Sequence, residues 1–227
     1  GSLLALYYVF KHFNHFFVFN SVAIIKQHFI DSSMFFLSRV SVSLYTSSNT
    51  FVLGLVGSNL TVGYYAIAEK LYIVIRQLYQ PIVQVIYPYI SKSKNLNFFK
   101  KIYPLVVFLN FFAIYILWIF TPELIYLVSK EYFSESIKVF RILLIVSCIV
   151  VPSILIGYPF LAALGFKNEA NYSTIIGSLF HVIILVVLYF YNLINIYNIV
   201  YLLIATESIV LLYRYYAVYK HNLFKFS

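Results

Sequence analysis

Residues Val62 to Lys92 read VGYYAIAEKLYIVIRQLYQPIVQVIYPYISK, an apolar segment long enough to cross a bilayer, with charges and amides down one side. Glu69, Arg76, Gln80, Gln84 and Tyr87 recur at steps of 7, 4, 4 and 3. At about 3.6 residues per turn they share one helix face. The remaining faces are Ile, Val, Leu, Tyr and Ala. Ionisable groups are costly in hydrocarbon, so they normally turn into a bundle or a wet cavity. A helix built this way suits a protein that passes something polar through lipid.

The rest of the chain agrees with a membrane reading. Its 227 residues are 63% hydrophobic and 10% charged, with a mean hydropathy of +0.89, whereas soluble domains are about half apolar and about a quarter charged. The apolar residues come in blocks of roughly twenty, the length that spans ~30 Å of hydrocarbon. The fold class expected is an all-α integral membrane protein, a six-helix transmembrane bundle after the end of a preceding helix. The spans are placed at 31–57, 62–90, 102–120, 142–166, 173–191 and 199–216, within a lobe of residues 31–227. Pro122 marks a break, and Pro152, Gly157 and Pro159 predict a kink inside the fourth span. Residues 1–30 read as the end of a truncated transmembrane helix, Leu3 to Phe10, and a cytoplasmic interfacial linker, Lys11 to Ile30. The linker mixes Phe13, Phe16, Phe17 and Phe29 with Lys11, Lys26 and three histidines. Thr121 to Arg141 has the same interfacial character. No internal repeat and no signal peptide is evident.

The net charge is +9, from 16 basic and 7 acidic residues. The basic residues cluster at the ends of apolar blocks, the pattern of topology signals rather than of nucleic-acid binding. With both ends cytoplasmic, the inner segments hold nine: Lys11, Lys26, Lys92, Lys94, Lys100, Lys101, Lys167, Lys220 and Lys225. The outer segments hold Lys130, Lys138 and Arg141, offset by Glu123, Glu131 and Glu135. Cys148, the single cysteine, excludes an intrachain disulfide and a cysteine-based metal site. His12, His15 and His28 lack a carboxylate or cysteine constellation, so no metal and no cofactor is expected. No Walker A loop, nucleophile elbow or His-Glu-x-x-His pair occurs, and the expectation is a protein that is not an enzyme.

Other polar faces accompany the opening stripe. Arg39, Ser43, Thr46 and Thr50 share a face of the first span, with Asn49 beside it. Glu207 lies near the middle of the last span, with Arg214 two turns on, and His181 lies in the fifth. If these faces meet they form a cavity of both charge signs, with guanidiniums that grip phosphate and amides and hydroxyls that bind sugar. The candidate cavity residues are Arg39, Asn49, Glu69, Lys70, Arg76, Gln80, Gln84 and Glu207. Structural alternatives stand beside each: Arg39 snorkelling, Glu69 and Lys70 at the interface, and an Arg76–Glu207 ion pair. Gln80 and Gln84 could tie helices together, and His181 could be a packed histidine.

The stretch from Phe51 to Ser93 resembles the bacterial polysaccharide-repeat flippases of the Wzx type, within the multidrug/oligosaccharidyl-lipid/polysaccharide exporter superfamily. The similar motifs are Leu53-Gly54, Val62 to Tyr65, Ala66 to Lys70, Pro81 and Pro88 to Ser91. Gly157 to Glu169 and Ala205 to Ser208 resemble the later helices more loosely. The resemblance implies a two-lobed, V-shaped carrier in the bacterial inner membrane, of which this chain is the C-terminal lobe and the N-terminal lobe is missing. It implies movement of an undecaprenyl-diphosphate-linked oligosaccharide across the membrane, Lys70 and Arg76 as cavity cations, and coupling to an ion. A multidrug exporter of the same superfamily, or a membrane polysaccharide polymerase, is the alternative.

Overall fold

The computed structural model describes residues 22–223, together with Leu4, Tyr7, Tyr8, Phe10 and Lys11. Half of the expected stub lies outside the described residues, as do Phe13, Phe16, Phe17, His12 and His15 of the expected linker and Lys225 near the C-terminus. Two compact units are distinguished, Gly1–Phe35 and Phe36–Ser227. In the first, the Lys11 ammonium lies 5.8 Å from the centre of the Tyr7 ring, and Ser33 Oγ donates to the Phe29 carbonyl.

The described residues are helical throughout, joined by short turns, with no strand among them. In chain order the helices are α1 (Val22–Val56), α2 (Asn59–Leu78), α3 (Gln80–Ser93), α4 (Leu96–Ile119), α5 (Thr121–Ser129), α6 (Ser134–Ile156), α7 (Lys167–Phe190) and α8 (Ile196–Lys220). A π-helical turn, Gly157–Ala162, extends α6. The termini carry ordinary caps: Ser58 Oγ accepts from the Thr61 amide at 3.2 Å, and Asn95 Oδ1 accepts from Phe98 at 3.0 Å. Asn195 Oδ1 accepts from both Tyr197 and Asn198. These side chains satisfy amides that have no partner inside their helices.

Four described stretches are long and apolar enough to cross a membrane: Leu96–Ile119, Ser134–Ala162, Lys167–Phe190 and Ile196–Lys220. The first two expected spans differ from this pattern for physical reasons. The span expected at 62–90 is two helices, because Pro81 at the start of α3 has no amide to donate and Tyr79 closes α2. The Tyr79 hydroxyl donates to Asn110 Oδ1 on α4 at 2.6 Å, which fixes the break. In α1 the run Ser41 to Thr50 carries hydroxyls and Asn49, which dilute its apolarity. Helix α1 also begins at Val22, inside the stretch expected to lie at the interface. Thr121 to Arg141 divides into α5 and the first turns of α6 rather than one interfacial segment. The expected kink is present as the π-helical turn after Pro152, where Pro159 cannot complete an α-helical ladder.

Helix α6 is the centre of the second unit. It packs against α2, α4 and α8, and 67% of its spanning window is buried against 17% for α4. Helix α4 instead exposes Leu105, Phe108, Leu109, Phe111, Phe112 and Tyr115, as a face in contact with lipid requires.

The apolar core forms two clusters. One joins Tyr45, Leu53, Tyr65, Ile75, Leu143, Leu144, Leu185 and Leu203. The other joins Ile86, Ile90, Phe99, Leu155, Phe160, Ala170 and Ala217. Between the two clusters along the chain stand polar side chains: Arg76 and Gln80 on α2–α3, Thr174 on α7, and Glu207 and Arg214 on α8. That polar layer is where a site can form.

Candidate functional site

A cavity of about 280 Å³ occupies the polar layer. Helix α1 lends it Ser38, Arg39 and Tyr45, and the two sides of the Tyr79 break lend Arg76 and Gln80. Ser153 enters from α6, Tyr158 from the π-helical turn, Thr174 from α7, and Glu207 and Arg214 from α8. Three guanidiniums therefore face one carboxylate. Nothing in the lining resembles a nucleophile–base pair; it is a set of hydrogen-bond donors around a basic centre.

Each charge is held differently. Arg214 is buried and donates to Ser173 Oγ at 2.9 Å, to the Ser153 carbonyl at 2.6 Å and to Ser153 Oγ at 2.9 Å. All three acceptors are neutral, so its charge is hydrogen-bonded without being cancelled. Gly157 makes room for it, since a Cβ there would stand 2.9 Å from the guanidinium carbon. Glu207 accepts from the Tyr45 hydroxyl at 3.0 Å and forms no ion pair among the described residues. The structural alternative of an Arg76–Glu207 pair is thus not realised as a direct contact. Arg76 lies over the Tyr72 ring, 5.6 Å from its centre, and Arg39 is exposed at the edge of the cavity.

A second cavity of about 130 Å³ adjoins the first, and Val42 and Arg76 line both. Asn49, Thr46, Tyr65, Glu69 and Tyr72 complete most of its wall. Glu69 accepts from Thr50 Oγ1 at 2.9 Å. The eight sequence candidates therefore separate into three groups. Arg39, Arg76, Gln80 and Glu207 meet in the main cavity, and Asn49 and Glu69 meet in the second, with Arg76 between them. Lys70 and Gln84 are exposed and line neither. Lys70 follows Glu69 by one residue and so points about 100° away from its face. Gln84 lies one turn beyond the Tyr79 break, where the face of α2 no longer continues.

Sequence reasoning left Tyr45, Ser153, Tyr158 and Thr174 out of the cavity, and placed Arg214 on a converging face without naming it among the candidates. Arg214 had a signal, its two-turn spacing from Glu207, whereas isolated hydroxyls among apolar residues give none. His181, for which packing and function stood open, is buried and hydrogen-bonded by Asn49 and Thr206. Away from the cavity, Glu169 gathers Tyr213, Lys220 and His221 at the end where α7 begins and α8 ends.

Residues 1–94 match a family model described as polysaccharide biosynthesis protein. The match takes in α1, α2 and α3, the helices that bring Arg39, Arg76 and Gln80 to the cavity. No curated protein and no solved structure matches the chain significantly. The apolar helices make the described residues those of a multi-pass, all-helical membrane protein, and residues 1–94 are similar to the polysaccharide biosynthesis family.

Proposed function

We propose that the chain is one lobe of a carrier that moves a lipid-linked oligosaccharide across the bacterial inner membrane for cell-surface polysaccharide. The headgroup is a diphosphate-linked sugar repeat, and its polyprenyl chain, undecaprenyl by the resemblance drawn above, stays in the bilayer. In this reading α1 through α8 supply six spans with both ends cytoplasmic, the paired α2 and α3 counting as one and the nine-residue α5 not crossing. An N-terminal lobe elsewhere in the full-length protein closes the other side of the cavity. The chain performs no bond-making chemistry and needs no cofactor.

The observation that carries the reading is the main cavity, where Arg39, Arg76 and Arg214 outnumber Glu207. Phosphate oxygens are strong acceptors for guanidinium forks, and at the partly buried Arg76 and buried Arg214 such bonds are worth more than at an open surface. Gln80, Ser38 and Thr174 are suited to sugar hydroxyls. A cavity for cationic drugs would carry the opposite balance, which weighs against the multidrug alternative. Transport then follows from exchange between two packings of the lobes, each open to one leaflet.

The test replaces Arg76 in the full-length protein. Loss of one charge-assisted bond, about 1.5–3 kcal/mol, weakens headgroup binding at least ~10-fold. Arg76→Ala is expected to abolish surface polysaccharide at normal protein level, and Arg76→Lys to retain part of it. Normal polysaccharide from Arg76→Ala would refute the assignment.

A further inference from the structure

His181 sits in α7, fully buried, where α1 and α8 come together. Its Nδ1 is 2.8 Å from Thr206 Oγ1 and its Nε2 is 2.9 Å from Asn49 Oδ1. The Thr206 hydroxyl donates its own proton to the Leu202 carbonyl at 2.8 Å, so towards the ring it can only accept. Nδ1 therefore carries a proton. A ring protonated on both nitrogens donates from Nε2 to the Asn49 oxygen as it lies. A ring with one proton needs a donor there instead, and half a turn of the Asn49 amide supplies it. Asn49 Nδ2 is buried without a hydrogen-bond partner of full geometry in the present orientation, and the Tyr65 hydroxyl in the wall of the second cavity is the group it faces. The site can satisfy the ring in both protonation states.

Asn49 also lines the second cavity. So does Tyr72, whose buried hydroxyl has only the Arg76 guanidinium as a near partner. The Asn49 amide, the Tyr65 and Tyr72 hydroxyls and the Glu69 carboxylate line a space of about 130 Å³, and one water needs only about 10–15 Å³ of free volume. The chemistry of that wall calls for ordered water. We propose that His181 is a proton-binding site: as the Asn49 amide turns aside, a hydronium ion in this hydrated second cavity gives its proton to Nε2 and is left behind as water.

The groups around the ring define its electrostatic setting. From α1, Tyr45 places its ring 5.7 Å from that of His181 and donates its hydroxyl to Glu207. From α8 come Thr206 and, one residue on, Glu207, with Arg214 two turns further. From α2, Glu69, Tyr72 and Arg76 lie across the second cavity. From the π-helical turn, Tyr158 donates to Asn171, nearly three turns along α7. No charged side chain touches the ring among the described residues.

The site has a mechanical consequence. From Phe36 on, α1 comes less close to its neighbours than they come to one another. It is tied to α7 and α8 by single side-chain bonds: Ser38 to Thr174, Tyr45 to Glu207 and Asn49 to His181. Protonation reverses the direction of the third. Because Glu207 belongs to both the Tyr45 bond and the main cavity, an anion bound there and a proton on His181 favour one another, a linkage that rests on the carrier reading above. The proton site itself does not.

The experiment uses the full-length protein, labelled with ¹⁵N-histidine in nanodiscs, from about pH 3.5 to 8, reaching below the ordinary histidine range because the ring is fully buried with no charged side chain against it. The wild-type spectrum minus that of His181→Gln isolates the ring. The ring is expected to pass reversibly from one N–H to two as pH falls, and Asn49→Leu to hold it in the one-proton form throughout. Should His181→Gln fail to fold, wild type against Asn49→Leu gives the same reading, because Asn49 meets Nε2. A ring that keeps one N–H across the range overturns the proposal, and unchanged titration in Asn49→Leu overturns the route. Farnesyl diphosphate, a short prenyl diphosphate, should move the midpoint to higher pH. If His181 titrates but farnesyl diphosphate does not bind, the proton site stands and the carrier reading falls.

Discussion

Tyr45→Phe removes a single oxygen from the wall of the main cavity, and the structure indicates what that costs. Tyr45 is 2% exposed and Glu207 is 3% exposed, so neither side of their 3.0 Å bond has ready access to bulk water. A hydrogen bond to a charged group contributes about 1.5–3 kcal/mol net, and removing one partner leaves the other desolvated. The ring stays, so its packing in the apolar cluster with Leu53 and Tyr65 and its contact with His181 are kept. At roughly 2–4 °C per kcal/mol for a domain of this size, thermal unfolding in detergent should fall by about 3–12 °C. Glu207→Met supplies the control. Alone it orphans the Tyr45 hydroxyl and removes the anion that faces Arg76 and Arg214. In the Glu207→Met background, however, Tyr45→Phe removes an orphan and should be neutral or stabilising. The loss of attraction to the two arginines is common to both legs and cancels in the cycle. Additive shifts, or a Tyr45→Phe protein within about 1 °C of wild type, would refute the claim that this bond secures the buried carboxylate.

Two glycines give further tests. Gly157→Ala places a methyl 2.9 Å from the Arg214 guanidinium, which the Ser153 and Ser173 bonds prevent from withdrawing; a loss of about 1–3 kcal/mol is expected by thermal unfolding, and an unchanged midpoint would show that Arg214 is not held there. Gly177→Ala brings a methyl to 2.5 Å from Val210 Cγ2 where α7 crosses α8; it should destabilise by a similar amount, and Val210→Ala should recover most of the loss.

Much of this was legible in the chain. The apolar blocks that became α4, α6, α7 and α8 stand out by length alone, because lipid demands uninterrupted apolar surface around each. Arg39, Arg76, Gln80 and Glu207 were legible as intramembrane polar groups, and the cavity gathers all four. Other parts depend on three-dimensional facts that periodicity does not carry. Pro81 permitted either a bend or a break, and the Tyr79–Asn110 bond accompanies a break. That break removes Gln84 from a face it shares on an ideal helix. Lys70 was placed by a family motif, but its position one residue past Glu69 turns it outward. The serines and threonines of the wall are indistinguishable in sequence from those that bond back to their own helix, as Thr46 does to Val42. The partners of His181 are 132 and 25 residues away along the chain, beyond any local pattern.

Thiol accessibility in the full-length protein, with its native cysteines replaced, bears on the shared wet cavity most directly. Gln80→Cys places a thiol in the cavity wall, and Leu109→Cys places one on the lipid-facing side of α4. Thiolates react in water and not in hydrocarbon. A charged, membrane-impermeant thiol reagent should modify Gln80→Cys at least ~10-fold faster than Leu109→Cys, and farnesyl diphosphate should slow it. A Gln80→Cys protein as inert as Leu109→Cys would contradict the account.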